Sequence, residues 1–291
     1  MKNNWTISLL LSFKTRLHTM RMRPCLLNFE CLEIASILFQ PSLCLWKGMI
    51  LKMELKEFEN IFVQELSKNN INLSIDDYQK FYIYMKEIIN WNEKINVTAI
   101  TEEKEFLVKH LIDSLTIDRF VENKGNLIDI GTGAGFPGIP LKISNPDLHV
   151  TLIDSVNKKL NVIRDISSKM NLEKLEIIHT RAENLAMQNQ YRESFDYATT
   201  RAVSRLNTIV EYMLPFLKLG GKAICMKGPN IDEELEESKK AIDVLGGTIE
   251  KVEHFMIDNE YERNIVIISK VKSTPKQFPR GKGKPLKEPI K

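Results

Sequence analysis

The sequence has few cysteines and no long apolar segment, and both shortages limit what the protein can be. Only four of its 291 residues are cysteine, and none forms a Cys-x-x-Cys pair or has zinc-ligand spacing. This cysteine usage predicts a reduced, cytoplasmic protein. No apolar run approaches the roughly 20 residues that a helix needs to cross a bilayer, so we expect no membrane segment.

The net charge is too small and too unevenly distributed to predict a binding partner by itself. The formal charge is +3, but residues 1–52 contribute +5, residues 271–291 contribute +6, and residues 53–270 carry −8. A general attraction to polyanions is therefore excluded. Any binding of nucleic acid must depend on local clusters of Lys and Arg.

Residues 1–52 differ in composition from the rest of the chain. They contain three of the four cysteines and two of the three tryptophans, without clear amphipathic periodicity, whereas a regular helical pattern begins directly after Met53. We interpret them as a non-native or disordered extension that results from a misassigned start, with Met53 as the expected start. The alternative is a genuine short extension.

The chain after Met53 changes from a helical to an alternating pattern. Apolar positions with helical spacing predict an N-terminal helical region over residues 53–120. From 121 to 271, apolar strand candidates alternate with helices, which predicts a parallel sheet covered on both faces and an edge hairpin formed by the last two strands. Residues 272–291 contain four prolines and many lysines, and we expect a basic, extended tail.

A glycine-rich turn follows the first predicted strand. In LIDIGTGAGFPGIP, Gly131, Gly133 and Gly135 alternate with small residues before a helix begins. Glycine permits positive φ and lets the backbone approach a ligand closely. Because ligands of open α/β sheets bind at the carboxyl ends of strands, we expect a small molecule across this turn. A tight turn without a ligand is the alternative.

The residues around the turn narrow the choice of ligand. A phosphate-binding loop would end in Gly-Lys-Ser/Thr, and a dinucleotide fingerprint would have a third glycine where Phe136 stands. Asp154 ends the second strand, where a carboxylate can accept hydrogen bonds from ribose hydroxyls. NAD enzymes have such an acid too. Asp154 therefore indicates a ligand that contains adenosine, but it does not identify the cofactor. With Asp129 before the loop, D-x-G-x-G-x-G resembles motif one of class I S-adenosylmethionine (SAM) methyltransferases.

Further segments extend this resemblance to one family. NVTAI, KHLIDSL, GTGAGFPGIPLKI, DSVNKK, RAENL, TTRAVSRL, RNIVII and TPKQFPR occur in this order and together resemble the RsmG family, formerly glucose-inhibited division protein B. The resemblance covers about residues 53–290. It implies a Rossmann-like fold that transfers a methyl group from SAM to guanine N7 in 16S ribosomal RNA, at the family's target guanosine 527. The implied partner is this RNA, the 30S subunit or an assembly intermediate, with no membrane and no metal.

The resemblance also implies residues that bind the cofactor. Gly131 would lie against the amino-acid end of SAM, and Phe136 would pack nearby. Ala182 and Glu183, in RAENL, would flank the adenine, while the ribose role of Asp154 comes from its strand position. An ordinary acid at the start of a helix is the other interpretation of Glu183.

Arg201, in TTRAV at the end of the fourth strand, would lie beside both the cofactor and the target. This strand end lacks the cysteine of a base C5-methyltransferase and the Asn/Asp-Pro-Pro-aromatic loop of exocyclic-amine enzymes. Guanine N7 has an in-plane lone pair, so Arg201 would orient the reactants without a general base, and arginine matches guanine O6 and N7. Two alternative interpretations stay open: Arg201 as a surface ion-pair partner, and His110 as a core residue.

Two other functions remain open from the sequence. A small-molecule SAM-dependent methyltransferase is the first alternative, and the basic tail argues mildly against it. A SAM-binding regulatory or assembly factor without catalysis is the second, and an activity assay separates it from an enzyme.

Overall fold

The computed structural model describes residues 53–73, 78–201, 203–258 and 260–291. The extension predicted for residues 1–52 lies outside the described residues, so that interpretation and the start at Met53 stay predictions. Residues 53–291 form one compact unit. The helical region, the sheet and the C-terminal tail therefore belong to the same body.

Helices form the first part of this unit, as the apolar spacing predicts. Their inward positions, including Phe58, Phe62 and Met85, are fully buried. The third helix widens into a π-helical turn before it returns to α-helical geometry. The segments are α1 Leu55–Lys68, α2 Tyr78–Asn92, α3 Glu103–Phe106, the π-helical Leu107–Ile112 and α4 Asp113–Leu115.

A seven-stranded sheet follows and confirms the predicted fold class. Its strand order is β3-β2-β1-β4-β5-β7-β6. The first five strands pair in parallel, and β7 runs antiparallel between β5 and β6, which confirms the edge hairpin. The strands are β1 Asn126–Ile130, β2 His149–Asp154, β3 Leu175–His179, β4 Phe195–Arg201, β5 Leu217–Lys227, β6 Gly247–Ile257 and β7 Tyr261–Lys270.

Helices cover both faces of the sheet because its strands are apolar on both sides. Adjacent residues of β1, Leu127 and Ile128, belong to different apolar clusters. The first cluster includes the N-terminal helices, and the second includes the two helices after β4 and β5. The remaining helices are α5 Gly138–Ser144, α6 Asn157–Lys169, α7 Ala182–Leu185, α8 Leu206–Met213, α9 Asp232–Val244 and α10 Lys284–Lys287.

The connections place a crevice at the centre of the sheet. Strand β1 lies between β2 and β4, so the chain proceeds in opposite directions from it. The carboxyl ends of these three strands meet at one edge, which is where open α/β sheets bind ligands. Gly131, Asp154 and Arg201 stand at those ends.

The C-terminal tail differs from the extended segment expected from its composition. Its one short helix, α10, is flanked by irregular chain, as its prolines lead us to expect. However, Thr274, Phe278 and Pro285 are buried, and Arg280 pairs with the fully buried Glu211 of α8. The lysine-rich composition of the tail does not predict these buried positions.

Candidate functional site

The glycine turn has the backbone conformation that its sequence predicts. Gly131, Gly133 and Gly135 all have positive φ, at +69°, +60° and +96°. A Cβ atom at Gly131 would lie 2.7 Å from the Cγ2 of Val203, and one at Gly135 would lie 2.5 Å from the Oη of Tyr84. At Gly133 the nearest heavy atom would be 4.0 Å away. Two of the glycines are thus required by close contacts as well as by φ.

Asp129 supports this turn from inside the fold. Its Oδ2 accepts a hydrogen bond from the backbone N–H of Gly138 at 3.1 Å, and its Oδ1 accepts one from the Thr199 hydroxyl at 3.1 Å. The side chain is fully buried, and burial raises its pKa to about 6 although these hydrogen bonds oppose the shift. The carboxylate therefore orders the loop and the start of α5, and it does not face a ligand.

Asp154 holds the same turn from the end of β2. Its Oδ2 accepts from the backbone N–H of Gly133 at 2.9 Å, and its Oδ1 accepts from that of Val156 at 2.8 Å. A carboxylate has about four acceptor positions, so each oxygen can take a further hydrogen bond. Asp154 can thus order the loop and still receive hydroxyl donors.

A cavity of about 300 Å³ opens beside the turn. Four of the predicted site residues line it, and they come from three different strand ends or loops. Sequence reasoning did not single out the other contributors. Some adjoin the predicted residues or stand in a quoted segment, as Val203 does in TTRAVSRL, whereas Gly283 and Leu286 come from the distant C-terminal tail. The predicted lining residues are Gly131, Asp154, Ala182 and Glu183, and the missed ones include Val203, Tyr212, Gly283 and Leu286.

Glu183 gives the cavity a buried negative charge. Only 5% of the residue is exposed, and its Oε1 lies 3.9 Å from a guanidinium nitrogen of Arg181. Burial raises the pKa of Tyr212, and the charge of Glu183 raises it further, because the two groups lie close together. Glu183 is also in the first turn of α7, so the helix-start interpretation and a ligand role are compatible.

The other two predicted residues, Phe136 and Arg201, form a second cluster with side chains of the helical region. The Arg201 guanidinium carbon lies 4.8 Å from the Phe136 ring centroid, and the His110 ring stacks on Phe136 at 4.4 Å. Arg201 Nη1 donates to Asp113 Oδ2 and to the Lys109 carbonyl, each at 3.1 Å, and Nη2 donates to His110 Nδ1 at 3.0 Å. We call these five residues the arginine cluster.

His110 is neutral in this cluster. Its Nδ1 accepts from Arg201, so Nε2 carries the proton and donates to the Thr98 hydroxyl at 2.7 Å. Burial and the positive charge of Arg201 lower the pKa of His110 to about 3. The histidine is therefore packed in the fold, as the core interpretation expects, and it contacts Arg201, a predicted site residue. A role for His110 in the site stays a prediction.

Asp113 connects the other residues of the arginine cluster to strand β7. It is 3% exposed, and its Oδ1 accepts from Nε of Arg263 in β7 at 3.0 Å. Two arginines thus compensate one buried carboxylate, which is the arrangement that a buried acid requires. The KHLIDSL segment supplies both His110 and Asp113. The side chains of these two residues accept hydrogen bonds from Arg201.

The part of the chain that the structure describes has neither a cluster of metal ligands nor a helix suited to crossing a membrane. Within it, no three His, Cys, Asp or Glu side chains come together as metal ligands. Among its helices, none combines the length and the apolar character that crossing a membrane requires.

Comparisons with known proteins show which family this chain resembles. The family model "GidB: rRNA small subunit methyltransferase G" matches residues 77–266, which include both the glycine turn and Arg201. Three similar relatives carry the name ribosomal RNA small subunit methyltransferase G. That of Alkaliphilus oremlandii is 43% identical over 82% of this chain and 100% of its own, that of Alkaliphilus metalliredigens 45% over 76% and 95%, and that of Clostridium novyi 44% over 80% and 98%.

Proposed function

This chain belongs to the GidB family, rRNA small subunit methyltransferase G, and is thus a methyltransferase; from that premise we propose that it transfers a methyl group from SAM to N7 of a guanine in 16S ribosomal RNA. The observation that carries the proposal is the cavity at the carboxyl ends of β1 and β2, lined by Gly131, Asp154, Ala182 and Glu183.

The residues of the cavity fit SAM. Asp154 is placed at the end of β2 to accept from ribose hydroxyls, and Ala182 leaves room for a flat base beside Glu183. SAM has cationic sulfonium and ammonium groups and no phosphate, so a site with two acids and no phosphate-binding motif suits it. Asp129 does not serve this purpose, because it is fully buried beneath the turn.

The arginine cluster suits an acceptor that needs no general base. SAM, when bound, supplies a methyl group, and its sulfur keeps the bonding electrons as the N7 lone pair forms the new bond. No proton leaves N7, so no side chain has to accept one. His110 agrees with this because both of its ring nitrogens are hydrogen-bonded and it is neutral. Alignment of the reactants and a fixed electrostatic field would then account for catalysis.

Arg201 is our candidate for orienting the guanine. Its side chain is 16% exposed at the end of β4, and three acceptors and the Phe136 ring fix the guanidinium. Arginine can donate to guanine O6 and N7, or to a neighbouring phosphate. Since N7 is the reacting atom, we favour contact with O6 or phosphate.

Exposed lysines of the C-terminal tail are candidates for RNA contact. Lys282, Lys284 and Lys287 are all exposed, and they flank the residues that line the cavity. Arg280 is unsuited to this role because Glu211 engages it. Substitution of the three lysines by alanine should weaken RNA binding and flatten its salt dependence. An RNA substrate on the ribosome also agrees with the cytoplasmic location predicted from cysteine usage.

The product decides between this function and its alternatives. Purified protein and labelled SAM would be incubated with unmethylated 16S RNA, with 30S particles and with an assembly intermediate. After borohydride and aniline treatment, we expect chain cleavage at one guanine, at guanosine 527 by the family's assignment. Methyl incorporation without cleavage would contradict N7 as the acceptor atom. No transfer to any RNA substrate would contradict the RNA function and favour a small-molecule enzyme or a non-catalytic factor.

A further inference from the structure

The C-terminal tail contributes to the cofactor cavity. Gly283 and Leu286 line it together with Ala182 and Glu183, although about a hundred residues of chain separate the two pairs. This segment lies beyond residue 266, where the family match ends. The wall of the cavity is therefore completed by a part of the chain that the glycine turn and its strands do not predict.

A buried ion pair fixes the segment to α8. The Glu211 side chain has no exposed surface, and its two oxygens accept from Arg280 Nη2 at 2.7 Å and Nε at 3.0 Å, and from the Arg280 backbone N–H at 2.7 Å. Arg280 Nη2 also donates to the carbonyl of Glu288 at 2.8 Å. One guanidinium thus connects α8 to the residue that follows α10.

Further contacts on either side of Arg280 hold the backbone in place. Arg192 donates to the carbonyls of Phe278 at 2.8 Å and Thr274 at 2.9 Å. The Thr208 hydroxyl of α8 donates to the Pro285 carbonyl at 3.2 Å. The position of α10 beside the cavity is therefore specified by several directional contacts.

Leu286 differs from its neighbours in a way that points to a ligand. Pro285 is buried against the domain, whereas Leu286 is 64% exposed at the cavity. Val203, which lines the same cavity, is 43% exposed. Two large apolar side chains thus face water at a site whose polar residues suit an adenosine. A flat aromatic base would cover such apolar surface and bury it favourably.

We infer that the segment from Arg280 to Glu288 is a fixed wall of the cofactor site, that Leu286 contacts the adenosine of SAM, and that Arg280 is the positioning residue for this wall. The inference rests on the proposed function. It requires cofactor binding to depend on the C-terminal tail. Deletion of residues 272–291 should then weaken cofactor binding as well as RNA binding.

The test measures binding of S-adenosylhomocysteine, the unreactive product of SAM, by calorimetry on the full chain. Leu286→Ala should weaken binding by about fivefold, since a partly covered leucine contributes a fraction of its full burial energy. Leu219→Ala is the matched control, because Leu219 is 63% exposed and lines a different cavity. Both variants should keep the melting temperature of the unmodified protein.

A second variant tests the positioning role. Arg280→Lys keeps the charge but loses the planar fork that holds both oxygens of Glu211. We expect a higher KM for SAM with kcat unchanged at saturation, because Arg280 itself does not line the cavity. A fall in kcat at saturating SAM with an unchanged KM would contradict this role.

The outcomes separate the inference from the function on which it rests. If the unmodified protein fails to bind S-adenosylhomocysteine, the proposed cofactor is wrong. If it binds, and Leu286→Ala binds equally well, the cofactor stands and the wall is wrong. The expected result is weakened binding in Leu286→Ala and unchanged binding in Leu219→Ala.

Discussion

The cofactor cavity and the arginine cluster are neighbouring regions with opposite character. In the cavity, Asp154 and Leu286 present surface that a ligand can contact. In the cluster, Arg201 donates to three acceptors of the protein, and both nitrogens of His110 are hydrogen-bonded. One region is suited to receive a molecule, and the other is suited to keep a charged group still.

Under the proposed function, this difference predicts that cofactor binding and catalysis depend on different regions. A group that is already fixed needs no reorganisation when charge develops nearby, which is how preorganised sites stabilise a transition state. Changes in the cavity should therefore act mainly on cofactor affinity. Changes in the arginine cluster should act mainly on the rate of methyl transfer.

The largest effect is expected from Gly131→Asp in the cavity. S-adenosylhomocysteine binding should weaken by more than about a hundredfold, because the new side chain needs positive φ and meets Val203. Calorimetry measures the loss. Gly131→Ala and Gly133→Ala form a matched pair, because both place a side chain at a residue with positive φ. Only at Gly131 would the new Cβ atom lie too close to a neighbouring side chain. Equal affinities for that pair would contradict the steric explanation.

The next largest effect is expected from Arg201→Lys in the cluster. Lysine keeps the charge but cannot donate hydrogen bonds to Asp113, Lys109 and His110 at the same time. Single-turnover methyl transfer should fall by roughly a hundredfold, with cofactor affinity nearly unchanged. Arg119→Lys, in an exposed ion pair with Glu253, is the control. A large loss of affinity with a normal rate would contradict the division of tasks.

A smaller effect is expected from Asp154→Asn at the end of β2. An amide can replace one oxygen but presents an NH₂ group to one of the two backbone N–H groups, so the turn loses order. Cofactor affinity should fall by about tenfold, as expected for one lost charged acceptor. Asp147→Asn, at an exposed position two residues before the start of the same strand, should leave affinity unchanged in the same titration. Equal losses would contradict a local role for Asp154.

The smallest effect concerns the pH dependence of stability. The folded pKa of His110 is about 3, below its ordinary value, so the unfolded chain binds this proton first as pH falls. The stability contributed by neutral His110 is present above about pH 6.5 and is lost as pH falls towards 3.

His110→Asn tests this dependence because asparagine keeps an acceptor for Arg201 and does not titrate. Between pH 7 and pH 5.5, the free energy of unfolding of the unmodified protein should fall by about 1.3 kcal/mol more than that of the variant. Urea titrations measure it, and the exposed His149→Asn is the control. The same decrease in all three proteins would contradict a buried neutral histidine.

Local patterns were sufficient to predict the fold and to select four residues that line one cavity of the structure. The alternation of strands and helices predicted the sheet and its edge hairpin, and the glycine turn predicted the binding edge. These features depend on neighbours in sequence. The direction of Asp129 was not predictable, because a motif gives the position of a carboxylate and not the donors that surround it.

Long-range partners explain what sequence reasoning could not reach. Asp113 and His110 lie 88 and 91 residues from Arg201, and no periodic pattern links them. The tail was misleading for a related reason. Its lysines dominate the composition, while Phe278 and Arg280 have partners far earlier in the chain, Arg192 in the turn before β4 and Glu211 in α8.

The π-helical turn from Leu107 to Ile112 determines which residues of this helix face Arg201. The Asp113 N–H reaches back to the Val108 carbonyl, five residues earlier, and the Lys109 carbonyl accepts from Arg201. A deletion of one residue that restored α-helical pitch would rotate the following residues by about 100°. His110 and Asp113 would then no longer share the face that meets Arg201, so length as well as composition is constrained at this turn.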